Sequence, residues 1–109
     1  MKGKIVLIPF PFTDLTTAKL GPALVLHEGK SDVVVAFISS RISARPLDTD
    51  VVVMDGHPES RQTGLKTAST IRLDKIATVL KTYVLGEIGE LGSSLKNEVN
   101  VKLRRIYQI

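Results

Sequence analysis

The sequence predicts a mainly β fold: a small antiparallel sheet curled into a barrel, with a C-terminal helix plugging or flanking it. Three observations carry that expectation. Short apolar runs recur along the chain, each bounded by proline, glycine or a polar cluster, which is the pattern of buried strands. The hydrophobic period turns helical only once, after Gly92. The 109 residues, 43% hydrophobic and 24% charged, suffice for one core, and no linker, repeat or low-complexity stretch divides them, so residues 1–109 read as a single domain.

The elements follow in order. Residues 5–26, IVLIPFPFTDLTTAKLGPALVL, hold two apolar runs that predict strands over 4–9 and 22–27. Between them, residues 11–21 are too polar and broken to bury. They predict a surface loop longer than the usual two to five residues, and such excess length often serves function. Residues 28–32 form a polar turn of hairpin length, and the β-branched run VVVAFI over 33–38 predicts a central strand. A fourth strand is expected over 50–54. A second polar interval, 55–67, contains Gly56, Pro58 and Gly64 as breakers. Residues 69–73 alternate polar and apolar, as a strand with one wet face does. Asp74 and Lys75 interrupt it, and 76–80 and 84–88 supply the last strands. From Ser93 to Gln108, Leu95, Val99, Leu103 and Ile106 fall on one helical face, with Gly92 or Ser93 as the cap and Arg104 and Arg105 near the C-terminus.

Composition narrows the function. Fifteen basic against eleven acidic residues give a net charge of +4, which fits a nucleic-acid binder as well as an ordinary basic surface. No apolar run approaches the roughly 18 residues of a membrane span, and polybasic anchor runs are missing. The start, MKGKIVLIPFPF, is broken by two prolines and has no small-residue cleavage site, so it does not read as a signal peptide. Without cysteine the sequence has no disulfide, thiolate metal site or cysteine nucleophile, which is compatible with the cytoplasm.

Most inventories of catalytic residues lead nowhere. His27 and His57 lie in unrelated contexts, and Asp48, Asp50 and Asp55 are too loosely arranged for a metal. The glycines are dispersed, without a phosphate loop. A triad of Ser39 or Ser40 with His27 and Asp32 has no support in the spacing. The end of the third strand is more informative. Ser39 and Arg41 share a face if the strand continues, and a hydroxyl beside a guanidinium suits a phosphate. A solvated strand end is the plainer reading of those two residues. Lys19, Thr13, Thr16 and Thr17 in the long loop, with Ser40, are candidate RNA contacts. Phe10 and Phe12 are the candidates for base stacking, or else core anchors.

Taken together, IVLIPFPFTDLTTAK, PALVL, AFISS and TGLKTASTIRLDKIATV resemble the PemK/MazF family of toxins from type II toxin–antitoxin systems. Many members run close to VLVPFPFTDLSGSKRRPALVLS, AFITS and LKKPSVVRLDKLATL, and the likeness spans nearly the whole chain in register. The resemblance implies an SH3-like β-barrel with short helices, assembled as a homodimer. It implies a sequence-selective, metal-independent endoribonuclease that cuts single-stranded RNA without a cofactor, and an acidic antitoxin partner that occupies the RNA groove. A gyrase-inhibiting, DNA-directed toxin is a further activity on the same fold. Ser39 matches the family's catalytic hydroxyl, and Lys19 keeps the lysine of the KRRP run. The arginine expected before the proline is replaced: Gly21 stands there, and Leu20 fills another commonly basic position. The expected consequence is cleavage that is weakened or lost, leaving an RNA- or antitoxin-binding protein, unless Arg41 or Lys19 takes the role.

Overall fold

The computed structural model describes residues 1–10 and 19–109. Six strands form one antiparallel sheet: β1 (Lys4–Phe10), β2 (Lys19–Glu28), β3 (Asp32–Ser39), β4 (Asp50–Val53), β5 (Ser69–Leu80) and β6 (Gly86–Glu90). Their order is β4-β5-β3-β2-β1-β6, a curled half-barrel with β4 and β6 at its edges. The C-terminal helix α1 covers Ser93–Ile106. Single 3-10 turns occur at Arg61–Thr63 and Lys81–Tyr83.

Alternation along the strands sorts the apolar residues into two clusters. On one face, Ile5, Leu24, Ala36, Ile38, Val51, Ile71 and Leu73 pack with Leu95 and Val99 of α1. On the other, Val6, Ile8, Ala23, Val25, Val33 and Val35 form a second cluster. The helix therefore flanks one face of the sheet. Leu95 is fully buried there. Leu95→Ala should cost about 2–5 kcal/mol of unfolding free energy through lost burial and the cavity left behind; urea unfolding reads the loss.

Two differences from the sequence reading have clear causes. The interruption expected at Asp74 and Lys75 is a bulge inside one long strand. Ala36 pairs with Ile76 and Phe37 pairs with Arg72, so 73–75 are extra residues on β5. The bulge survives because its polar groups are satisfied: the Leu73 N–H donates to the Thr49 carbonyl at 2.9 Å, and the Tyr107 hydroxyl donates to the Leu73 carbonyl. The second difference is the source of the capping side chain; the N-cap itself is Gly92, one of the two expected positions. Gly92 holds the N-cap position without a side chain, and the Glu59 carboxylate accepts the Ser94 and Leu95 N–H groups, both at 2.9 Å. A Cβ on Gly92 would lie 2.4 Å from that carboxyl carbon, so glycine makes room for a cap supplied from the 55–67 interval. The same backbone hydrogen bonds hold the Glu59 carboxyl below its ordinary range.

Glu28 closes the far end of the sheet. It pairs with Lys81 at 2.8 Å and with the N-terminal ammonium at 2.6 Å, and these hydrogen bonds hold its carboxyl down at about 2 against an ordinary 4.5. A carboxyl depressed by folding stabilises the folded state above its unfolded pKa, and that contribution is lost as pH falls through the folded value. Thermal midpoints should therefore drop between about pH 4.5 and pH 2, and Glu28→Gln should flatten part of that slope.

Candidate active site

The two sides of the ends of β2 and β3 differ in chemistry. Gly21 pairs with Ile8 across β1. The β2–β3 register includes Ala23 opposite Phe37; continued by two residues on each strand, it sets Gly21 opposite Ser39. The ladder itself ends at Ala23 and Phe37, so Gly21 and Ser39 lie one alternation beyond it, on the same face of neighbouring strands. Gly21 lies in β2 without a positive φ, so its backbone does not require glycine. Residues 19–21, expected in the loop, are strand instead, because β2 begins at Lys19.

Ser39 is the last residue of β3, so strand pleating does not set Arg41 beside it. A turn does. The Arg41 N–H donates to Ser39 Oγ at 3.1 Å, and the Thr70 hydroxyl donates to the Arg41 carbonyl at 2.7 Å. Ser39 Oγ is thus an acceptor toward its own turn, and its O–H is left to donate outward. Ser39, Arg41, Asp50, Thr70 and Arg72 line one open pocket of about 310 Å³.

β5 supplies the floor of this pocket. Thr70 pairs with Ser39 and Arg72 with Phe37, so all four share a face of the sheet. Arg72 also pairs with Asp50 of β4. Its Nε lies 3.3 Å from Asp74 Oδ1 and its Nη2 lies 3.4 Å from Asp74 Oδ2. Asp50 Oδ1 stands 3.2 Å from the same Nε as an ion pair, but the N–H is aimed at Asp74, so that buried oxygen receives no aligned hydrogen bond. Asp50 Oδ2 accepts the Leu47 N–H at 2.9 Å. Asp74 lies two residues beyond Arg72, within the bulged segment of β5.

The structure separates other predicted residues. Ser40 lines a different pocket of about 380 Å³, with Pro22, Lys66 and Thr67. Lys19 is paired with Phe10 at the start of β2, and Leu20 beside it is exposed. Phe12, Thr13, Thr16 and Thr17 lie outside the described residues. The paper triad has no geometric basis, because His27 pairs with Val34 and Asp32 opens β3, whereas Ser39 ends it. At about 3.3 Å per residue, that strand separates Asp32 from Ser39 by roughly 20 Å. Among the described residues, no group of three or more His, Asp or Glu is placed to hold a metal ion. The sequence offers Asp50 only as a discarded metal ligand and does not single out Thr70 or Arg72, although the alternation at 69–73 predicts a strand with one wet face.

The comparisons with known proteins follow this geometry. A family model described as PemK-like, MazF-like toxin of type II toxin–antitoxin systems matches residues 1–107. The chain belongs to this family. A search of curated proteins by sequence finds no match. Among solved structures, this PemK/MazF-like chain is similar to a mycobacterial endoribonuclease in complex with its cognate antitoxin (17% identity, TM-score 0.71, 96% of this chain and 91% of that one). It is also similar to the Mycobacterium tuberculosis toxin MazF-mt6 (21% identity, TM-score 0.75, 97% of each chain). A third similar structure is an Mtb toxin (23% identity, TM-score 0.66, 80% of this chain and 92% of that one). At these identities the structural likeness establishes the shared fold, and the family match establishes membership. No helix among the described residues is long and apolar enough to cross a membrane.

Proposed function

We propose that this PemK/MazF-like toxin is a sequence-selective endoribonuclease that cuts single-stranded RNA without a metal ion. The observation that carries the reading is the Ser39 hydroxyl, whose oxygen accepts the Arg41 N–H, in a pocket shared with two arginines. Arginine is permanently protonated and matches phosphate geometry, so the pocket suits a phosphodiester. Cleavage is attack of the ribose 2′-oxygen on phosphorus. The O2′–P bond forms, the P–O5′ bond breaks, the 2′-proton leaves, and the 5′-oxygen takes up a proton. Ser39 donates to the phosphate, and Arg41 offers positive charge from the exposed side. Lys19 and Ser40, with Phe12, Thr13, Thr16 and Thr17, extend the RNA-binding surface. A homodimer, an acidic antitoxin covering the same basic groove and a cytoplasmic location complete the reading from the family.

The deciding experiment incubates purified protein with a long single-stranded RNA in EDTA. Defined fragments that disappear with Ser39→Ala support the enzyme. Gly21 specifically favours a second reading, a binding homologue that no longer cuts. That reading predicts RNA binding that weakens with salt as phosphate counterions are released, without fragments. Gyrase inhibition with intact RNA would point to the DNA-directed alternative. Arg41→Ala should slow cleavage about 10- to 100-fold, the worth of one charged hydrogen bond. Unchanged cleavage in that variant would remove Arg41 from the site.

A further inference from the structure

We propose that Arg72 is a catalytic residue of this site, its guanidinium donating to the non-bridging oxygens of the scissile phosphate held at Ser39. The proposal rests on the RNA-cleavage reading and supplies the guanidinium that Gly21 cannot. Gly21 offers only a backbone N–H where the family resemblance implies a guanidinium, so another fixed cation must meet the charge that develops on phosphorus. Arg72 is placed for this. It is on the same face as Ser39, diagonally across β3 and β5, and both line the same pocket.

Its surroundings hold the side chain in position. Asp50, only 5% exposed, and Asp74, two residues along β5, both face the Nε edge of the guanidinium. Arginine has five N–H donors. Nε–H and one hydrogen of Nη2 are directed at Asp74, which leaves three donors without a partner among the described residues. A cation with its orientation set by two carboxylates and an unspent outer edge is preorganised for an oxyanion, and preorganised donors lose little to reorganisation during reaction. The side chain is about one-third exposed, so a phosphate can reach it. Arg41, in contrast, is an exposed loop residue that meets Ser39 and Thr70 through its backbone. Arg72 takes no proton in the reaction. It stabilises the pentacoordinate phosphorane while the 2′-proton departs to solvent and solvent protonates the 5′-oxygen.

The test measures single-turnover RNA cleavage in EDTA, RNA affinity and thermal midpoint for wild type, Ser39→Ala, Arg72→Ala and Arg72→Lys. Arg72→Lys keeps a cation beside Asp50 and Asp74, and so separates loss of the planar donor from loss of folding. Arg72→Ala is expected to cut about 10²–10³-fold more slowly, the cost of one oxyanion donor, while RNA affinity falls far less. Arg72→Lys should stay folded and remain well below wild type. Millimolar guanidinium should restore part of the Arg72→Ala rate and none of the Ser39→Ala rate. A folded Arg72→Ala that cuts at the wild-type rate overturns the proposal and leaves the RNA-cleavage reading standing. So does a rate loss that follows the thermal midpoint and gains nothing from guanidinium. A wild type indistinguishable from Ser39→Ala overturns both together.

Discussion

Gly21→Arg should raise RNA cleavage by about 10²-fold, because it adds one charged donor opposite the Ser39 hydroxyl. The register brings position 21 to the right place: it pairs with Ile8 on one side and, with the β2–β3 ladder continued, faces Ser39 on the other. The φ of Gly21 does not oppose the change, although the position is buried and the arginine must extend out of the strand to reach solvent. Extended strands lose little by exchanging glycine for a side chain, and Gly in a strand interior is a weakness rather than an asset. Single-turnover rates on one RNA, measured for Gly21→Arg alone and combined with Arg72→Ala, check the prediction. The combined variant should recover much of what Arg72→Ala loses, because either guanidinium can meet the same phosphate. An unchanged rate in Gly21→Arg would mean that the absent arginine does not limit this protein.

Ser39→Ala carries the other large effect, a fall of about 10²–10³-fold, the cost of losing one donor to the charge that develops on the phosphate. The substitution removes the oxygen that accepts the Arg41 N–H as well as the hydroxyl proton that reaches the phosphate. The Thr70 hydroxyl still donates to the Arg41 carbonyl, so the turn after β3 keeps one of its two ties. Folding should be little changed, since Ser39 lies at a strand end outside both apolar clusters. RNA affinity should likewise persist, because basic groups and not this hydroxyl dominate binding to phosphates.

Much of the architecture is legible in the sequence. The apolar runs at 5–8, 23–26 and 33–38 occupy β1, β2 and β3, and the stripe of Leu95, Val99, Leu103 and Ile106 faces the core from α1. What escapes is mostly long-range. Asp74 and Lys75 read as a strand break because polarity is visible in sequence, whereas the Thr49 and Tyr107 groups that satisfy a bulge are not. Glu59 caps α1 from 35 residues away, and no local pattern announces a cap at that distance. The site divides in the same way. Ser39 is a candidate from its place beside Arg41 at the strand end, whereas the arginine expected at Gly21 is implied by the family resemblance alone. Arg72 becomes visible only when β5 is placed between β3 and β4, which brings Phe37 to one side of it and Asp50 to the other.

The central claim is that the Ser39 pocket cuts RNA although Gly21 has replaced the expected arginine. Its most direct test is single-turnover cleavage of a long single-stranded RNA in EDTA, with protein in excess, comparing wild type and Ser39→Ala at equal bound fraction. The account predicts discrete fragments from the wild type and a rate lower by about 10²–10³-fold in the variant. Equal rates, or intact RNA bound by both proteins, would contradict it.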